Sequence, residues 1–192
     1  MKESKRTRKK YFKAAADEGN EDAIYNYAIM IKNGEGTQVN KKEAIVYLKK
    51  IITKGNVDAM LLYARMNDKG DVIPENKKEA AKYYKMAADK GNDDGMFNYA
   101  LMLSNGEGID TNKKEAAKYY KMAANLGNEF AMNNLGNMMR RGDGIPENKK
   151  EAFKYFKMAV DKGNDVAMFN YASMLYNGEA GSVDKKEATH YY

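Results

Sequence analysis

The chain has 192 residues, a formal net charge of +6 at pH 7 and a mean hydropathy of −0.79. It contains no cysteine and a single histidine, which excludes disulfides, thiolate zinc sites, iron–sulfur clusters and a cysteine nucleophile. No segment approaches the roughly 18 to 20 consecutive apolar residues that a membrane-spanning helix needs, so we expect no insertion into a membrane.

The first predicted element is a basic helix. Residues 2–13 contain seven Lys or Arg residues against one Glu, so this stretch accounts for the whole net charge of +6. We predict a helix over residues 4–18 at an exposed end of the array, because Arg8 occupies a position that the small packing residue Ala44 holds 36 residues later. Such a stretch is typical of a solvated helix face and, less often, of a phosphate-binding or nuclear-import patch.

The rest of the chain follows a period of 36 residues without an insertion or deletion. Two short motifs, Lys-Lys-Glu-Ala and Gly-Asn, each recur five times at this spacing. The first begins at Lys41, Lys77, Lys113, Lys149 and Lys185, and the second at Gly19, Gly55, Gly91, Gly127 and Gly163. A fixed period of this size is the sequence signature of a solenoid repeat.

Each repeat contains a predicted first helix and a predicted second helix. The first helix spans about residues 94–105 in one repeat, and Gly106 and Gly108 follow it in a turn. The second helix begins after Asn76, with Glu79 three residues later in the arrangement of a capping box, and ends at Gly91. The result is an antiparallel helix pair, which buries its apolar face only by stacking on neighbouring pairs.

Some positions depart from this pattern. Val72 and Ala180 stand where the second turn glycine is expected, so we expect those two turns to be distorted or rebuilt. Pro74 and Pro146 stiffen two of the linkers just ahead of the cap. Tyr192 lies about two turns into a second helix, as in a segment of a longer array.

A set of residues that recurs in register carries a family resemblance. It comprises Ala23-x-Tyr25-Asn26-Tyr27-Ala28, Asn33-Gly34-x-Gly36, Glu43-Ala44-x-x-Tyr47 and Gly55-Asn56. This unit resembles the SEL-one-like repeat (SLR), a relative of the tetratricopeptide repeat. The resemblance implies an all-α fold, a right-handed α-α superhelix (solenoid) of 36-residue antiparallel helix pairs. Some relatives resemble secreted cysteine-rich bacterial proteins, and the lack of cysteine makes that branch a poor match.

The resemblance covers essentially the whole chain, and we expect a single repeat domain over residues 1–192. A partial repeat occupies residues 1–21, and complete repeats occupy 22–57, 58–93, 94–129 and 130–165. An incomplete last repeat occupies residues 166–192.

The resemblance also implies a partner-binding face. In tetratricopeptide-like solenoids the first helices line the concave face, and the residues beside their packing stripe project into it. The corresponding residues here are Tyr25, Asn26, Ile29, Asn33, Leu61, Leu62, Arg65, Lys69, Phe97, Asn98, Leu101, Asn105, Asn133, Asn134, Asn137, Arg141, Phe169, Asn170, Ser173 and Asn177. Asn26, Asn98, Asn134 and Asn170 recur as a ladder, one per repeat except where Leu62 intervenes, which either clamps an extended peptide backbone or only ties helix ends together.

The sequence favours a protein without chemistry of its own. It lacks a Gly-x-Ser-x-Gly elbow, a Walker phosphate loop and a His-Glu-x-x-His motif, so we expect no enzyme activity, no metal and no cofactor. The resemblance implies an adaptor that binds a protein or peptide on the concave face. The absence of cysteine favours an intracellular, cytoplasmic location, and the oligomeric state stays open.

Two other functions stay open. The array could be an architectural spacer or regulatory array in a larger polypeptide that carries a catalytic domain elsewhere. Alternatively, the basic stretch at residues 2–13 could contact phosphate or nucleic acid, although nucleic acid is not the partner that we favour.

Overall fold

The computed structural model describes residues 2–70, 75–181 and 183–191, and the expectations for Val72, Pro74 and Tyr192 fall outside these ranges. Within them all regular structure is helical, with eleven helices and no strand, so the predicted all-α class is confirmed. The helices are α1 (Lys2–Asp17), α2 (Glu21–Asn33), α3 (Lys41–Ile52), α4 (Val57–Asp68), α5 (Lys77–Asp89), α6 (Asp93–Asn105), α7 (Lys113–Asn125), α8 (Glu129–Arg141), α9 (Lys149–Asp161), α10 (Asp165–Asn177) and α11 (Lys185–Tyr191).

The chain divides into two compact units, Met1–Tyr83 and Tyr84–Tyr192, and the division falls inside α5. Even-numbered helices are the first helices of the repeats and odd-numbered helices are the second helices. Within the first unit α2 packs most extensively on α3, and within the second unit α6 packs on α7 and α8 on α9. These are the predicted helix pairs, whereas the single domain over residues 1–192 stays a prediction.

Asparagine side chains begin the first helices. In the first unit the Oδ1 atoms of Asn20 and Asn56 accept hydrogen bonds at 2.9 Å from the backbone N–H groups of Ala23 and Ala59. The corresponding asparagines of the second unit do the same for α6, α8 and α10. The Gly-Asn motif therefore ends one helix and caps the next, and each cap contributes about 1 kcal/mol.

The predicted caps of the second helices are confirmed with one correction. Asn40 Oδ1 accepts from the N–H of Glu43 at 3.1 Å, as a capping box requires. Glu43 does not bond to the backbone N–H of Asn40, because that group already donates to the carbonyl of Ile31 at 2.8 Å. Instead Glu43 Oε2 accepts from the Asn40 side-chain amide at 2.9 Å, and the Asn40 N–H bond to Ile31 joins the start of α3 to the end of α2.

Glycines with positive φ close the first helices. Gly34 (φ 75°) follows α2, and Gly36 (φ 72°) continues the turn. No described residue other than glycine has a positive φ, so Ala180 does not replace the second turn glycine in conformation. The turn after α10 is rebuilt as predicted, with the Gly181 N–H donating to the carbonyl of Gly178 at 3.3 Å.

The core consists of small residues with aromatic and methionine side chains between them. Ala28 and Ala64 in the first unit and Ala100 in the second are fully buried, which lets the paired backbones approach closely. The rings of Tyr27 and Tyr47 meet edge to face with centroids 4.9 Å apart, a geometry worth about 0.5–1.5 kcal/mol beyond the buried area. The recurring Tyr and Met residues therefore serve mainly as core.

Candidate partner-binding face

In the first unit the predicted residues of α2 lie on a partly exposed helix face. Asn26 and Asn33 are exposed, and Tyr25 and Ile29 are half-buried. The Asn26 Nδ2 atom donates to the backbone carbonyl of Asp22 at 2.8 Å, so this amide is held against its own helix.

The predicted residues of α4 divide into two groups. Arg65 and Lys69 are exposed. Leu61 and Leu62 are only 6% and 8% exposed, because this side of α4 is covered by its neighbours. Their assignment to a partner-contacting surface is therefore corrected: both leucines belong to the packing of the first unit.

The Tyr25 hydroxyl lies close to charges on α4. Burial raises the pKa of Tyr25, the nearby Asp58 carboxylate raises it further, and the Arg65 guanidinium opposes both effects. The phenol therefore stays neutral at physiological pH, and it offers a hydrogen-bond donor and acceptor beside the Arg65 guanidinium.

In the second unit aromatic rings gather at α6. The Phe97 ring lies 6.0 Å from the Tyr120 ring and 5.8 Å from the Phe130 ring, measured between centroids. Phe130 on α8 is 52% exposed. Leu101, which follows Phe97 by one turn of α6, is 36% exposed. This part of the face therefore offers apolar surface to solvent.

Amide side chains occupy the middle of the same face. The Asn134 Nδ2 donates to the Tyr120 hydroxyl at 3.2 Å, and the Asn170 Nδ2 donates to Asn133 Oδ1 at 2.8 Å. The Asn137 Nδ2 donates to the Asn133 carbonyl at 3.2 Å. We call these four asparagines the amide cluster; its bonds join α7 to α8 and α8 to α10.

The amide cluster changes two predictions. Asn133 is only 6% exposed and accepts a bond from α10, so its predicted contact with a partner is corrected to a structural role between helices. The ladder asparagines also behave differently from one another. Asn26 and Asn98 bond to carbonyls of their own helices, whereas Asn134 and Asn170 bond to neighbouring helices.

A cavity of about 190 Å³ lies between α6 and α8. Five of the predicted residues line it, together with Ser104, Tyr120, Met138 and Asp143: they are Leu101, Asn105, Asn134, Asn137 and Arg141. We call it the α6–α8 cavity. Burial raises the pKa of Tyr120 to about 12, so its hydroxyl stays protonated there at physiological pH.

The two arginines at the end of α8 have different surroundings. Arg140 Nε donates to Glu179 Oε2 at 2.8 Å, and its Nη2 contacts both Glu179 Oε1 and the hydroxyl of Ser173. Arg141 is exposed, lines the α6–α8 cavity and takes part in no ion pair among the residues that the structure describes. Arg140 therefore holds the end of the unit together, and Arg141 is available to an acidic ligand.

The remaining predicted residues lie at the rim of the second unit. Phe169 is 61% exposed, Asn105 and Asn177 are exposed at helix ends, and Asn98 and Ser173 are half-buried. The Asn105 and Asn177 amides donate to acidic side chains of the turns that follow, Glu107 at 2.9 Å and Glu179 at 3.5 Å.

Sequence reasoning missed Tyr120 and Phe130 as part of this face. Tyr120 recurs at a packing position of the repeat, and the structure also places it in the lining of the α6–α8 cavity. Phe130 gave a detectable signal, since it occupies a position where Asp22, Asp58 and Asp94 stand in the three preceding repeats.

Metal and membrane chemistry find no support in the described ranges. No group of three or more His, Cys, Asp and Glu side chains there could hold a metal ion. None of the helices described is both long enough and apolar enough to cross a membrane.

Comparison with known families and structures matches the repeat. The sequence profile described as the Sel1 repeat matches residues 9–20, 21–56, 57–92, 93–128, 130–164 and 165–192. Curated proteins give no match. A Sel1 repeat protein from Oxalobacter formigenes superposes with a TM-score of 0.86 at 27% identity, over 95% of this chain and 75% of that one.

Two further structures share the fold. The antigen c5321 of uropathogenic Escherichia coli, described as displaying an SLR fold, matches with a TM-score of 0.68 at 24% identity, over 95% of this chain and 47% of that one. Cysteine-rich protein B of Helicobacter pylori matches with a TM-score of 0.51 at 27% identity, over 69% of this chain and 96% of that one. These matches confirm the predicted α-solenoid class.

Proposed function

Because the chain belongs to the Sel1 repeat family, whose members are typically non-catalytic interaction scaffolds, we propose that it is an adaptor for a protein partner. The adaptor binds an extended peptide segment of that partner on the first-helix face of the second unit. It contributes no chemistry of its own.

The α6–α8 cavity is the observation that carries this proposal. Its lining combines the Arg141 guanidinium, which forms no ion pair with a described residue, the amides of Asn134 and Asn137, and the apolar side chain of Leu101. An amide offers a donor and an acceptor, which is what an extended peptide backbone needs at each residue. A guanidinium binds carboxylates through two parallel hydrogen bonds, so we expect the bound segment to carry an acidic residue.

The surrounding surface extends this site. Phe97, Phe130 and Leu101 provide exposed or half-exposed apolar area on one side of the cavity, and Phe169 provides it on α10. Apolar anchors beside a few fixed polar groups are the usual composition of a binding hot spot. This surface does not include the buried residues Leu61, Leu62 and Asn133. Partner contacts by residues of the first unit stay a prediction; these residues are Tyr25, Asn26, Ile29, Asn33, Arg65 and Lys69.

The test is a selection of random twelve-residue peptides by the intact chain, followed by affinity measurements on the enriched peptides. We expect enriched sequences to contain an acidic residue and to lose about tenfold in affinity when Arg141→Gln removes its charge. The matched control is Lys118→Gln, which removes a cation from an exposed position of α7 outside the cavity lining and should leave the affinity unchanged.

Two outcomes would contradict the proposal. Either no peptide is enriched above an unrelated helical repeat protein, or Arg141→Gln and a Leu101→Ser variant bind the enriched peptides as tightly as the parent chain. The first outcome would favour the architectural array over the adaptor.

A further inference from the structure

The first unit contains a second cavity, and we propose that it binds a small anion carrying phosphoryl groups. The cavity has a volume of about 550 Å³ and lies between the start of α1 and the turn after α2. Lys5, Arg6, Asn33 and residues 34–38 line it. We call it the α1 cavity; the peptide-binding proposal for the second unit does not depend on it.

Close backbone packing fixes the walls of the α1 cavity. Gly36 has a φ of 72°, and a Cβ atom added to it would lie 2.8 Å from the carbonyl oxygen of Lys5. Only glycine therefore lets the turn approach α1 this closely. Two side-chain bonds connect the same elements, from Lys9 Nζ to Thr37 Oγ1 at 2.8 Å and from Arg8 to Glu35 Oε2 at 2.8 Å.

The turn after α8 in the second unit is equivalent to the turn that lines the α1 cavity, but its acidic residue has a different ion-pair partner. Lys113 and Asp143 occupy the repeat positions of Lys5 and Glu35, three repeats later. In the second unit the Lys113 ammonium lies 2.6 Å from the Asp143 carboxylate, so the two charges neutralise each other. In the first unit Glu35 is paired with Arg8.

Lys5 and Arg6 are consequently left without a counter-charge. Neither residue takes part in an ion pair within the described part of the chain. Both line a cavity in which Glu35, the one acidic residue among the described lining residues, already has a cationic partner. An excess of fixed positive charge in a concave site attracts anions and raises their local concentration.

The lining favours phosphoryl groups over other anions. A guanidinium provides a planar fork for two phosphate oxygens, and an ammonium adds a point charge. The backbone N–H groups of Gly36, Thr37 and Gln38 donate to no protein acceptor among the described residues, and successive free amides in a turn form an anion-binding concavity. None of the described lining residues is aromatic and able to stack on a nucleobase, so the part of a ligand recognised here is the phosphate.

The size of the α1 cavity favours a small molecule. Its volume falls in the range of roughly 300 to 1,000 Å³ that is usual for small-ligand sites. Nucleic acid instead needs a basic track several phosphates long, whereas the described lining contains two cations outside ion pairs, Lys5 and Arg6.

Calorimetric titration of the intact chain with inorganic pyrophosphate tests the proposal. We expect saturable binding with one site per chain, and a loss of about tenfold in affinity in the double variant Lys5→Gln with Arg6→Gln. The matched control, Lys10→Gln with Lys118→Gln, removes the same charge from exposed positions outside the cavity and should change affinity less than about twofold. Circular dichroism of each variant checks that the helices are retained.

A third variant makes the test independent of any damage from the first. Glu35→Gln removes the acidic group found among the described lining residues and releases Arg8, so we expect pyrophosphate to bind about threefold more tightly. Three results would overturn the proposal: no saturable binding, an equal loss of affinity in the control pair, or citrate binding as tightly as pyrophosphate. Tighter binding of a single-stranded oligonucleotide that pyrophosphate does not displace would assign the basic stretch to nucleic acid instead.

Discussion

The turn after α2 in the first unit and the turn after α8 in the second have the same pattern of positive-φ glycines but differ in their ion pairs. Both place an acid next to the first turn glycine and a lysine on the second helix of the preceding repeat. Asp143 pairs with that lysine, Lys113, whereas Glu35 pairs with Arg8. The repeat position of Arg8 is Ala116 in the second unit, so that unit has no arginine there to compete with Lys113 for the acid.

A third turn shows that the choice is local. Glu179 stands at the same repeat position as Glu35 and Asp143, yet it pairs with Arg140 of α8. One acidic position therefore takes cations from three different places in the repeat. The repeat fixes the geometry of the turn, and its immediate neighbours fix the electrostatics.

The largest effect should come from breaking the close approach in the first unit. Gly36→Ala introduces a Cβ atom at positive φ and 2.8 Å from backbone that cannot rotate away. We expect the free energy of unfolding to fall by about 2–3 kcal/mol. In the control Gly19→Ala the φ is also positive, at 91°, but nothing lies within 4 Å, so the loss should be about 1 kcal/mol. Urea unfolding measures both, and equal losses would show that the contact with α1 is loose.

The next effect concerns the ion pair of the third turn. The Glu179 and Arg140 side chains are 17% and 21% exposed and pair through two contacts. Glu179→Gln should therefore lower the free energy of unfolding by about 1–2 kcal/mol. The control is Asp161→Asn, whose partner Lys157 lies 3.8 Å away with both side chains more than half exposed, and which should cost almost nothing. An equal response of the two variants would contradict the buried role of Arg140.

The same pair predicts a dependence on pH. Hydrogen bonding to Arg140 lowers the pKa of Glu179 below its ordinary value of 4.5. A carboxyl with a depressed folded-state pKa stabilises the fold fully above its ordinary pKa and loses that contribution as pH falls through the folded-state value. We expect the parent chain to lose more stability than Glu179→Gln between about pH 5 and pH 3. If urea unfolding shows the same loss of unfolding free energy between these pH values in both proteins, the prediction is wrong.

The smallest effect belongs to the exposed pair of the second unit. Lys113 and Asp143 are each 41% exposed, so solvent screens their attraction. Asp143→Asn should change the free energy of unfolding by about 0.5 kcal/mol or less. A loss as large as that of Glu179→Gln would mean that the turn depends on this pair rather than on its glycines.

The fold could be predicted from the sequence because every repeat carries the same helix signals. A period of 36 residues, a cap, an apolar stripe and a terminal glycine occur in register, so local signals agree with one another. The contact between Glu43 and the Asn40 side chain could not be predicted from the sequence, because it depends on the Asn40 backbone N–H donating to the carbonyl of Ile31.

The candidate site was only partly accessible from sequence. A repeat position does not tell whether neighbouring helices cover it, so Leu62 and Asn133 were placed on a surface although they are buried. Pairing between residues 27 to 39 apart in the chain, such as Arg8 with Glu35 and Arg140 with Glu179, requires the packed structure. Phe130 shows the opposite case, where a departure from the repeat pattern could have marked the exposed surface.

Mapping of amide chemical shifts in the isotope-labelled intact chain, titrated with pyrophosphate, compares the two turns in one measurement. The account predicts that Lys5, Arg6 and residues 33–38 shift with a common saturation curve while Lys113 and residues 141–145 stay unchanged. Equal shifts at the two turns, or shifts spread along all the lysine-rich helices, would contradict the claim that the α1 cavity is a specific anion site.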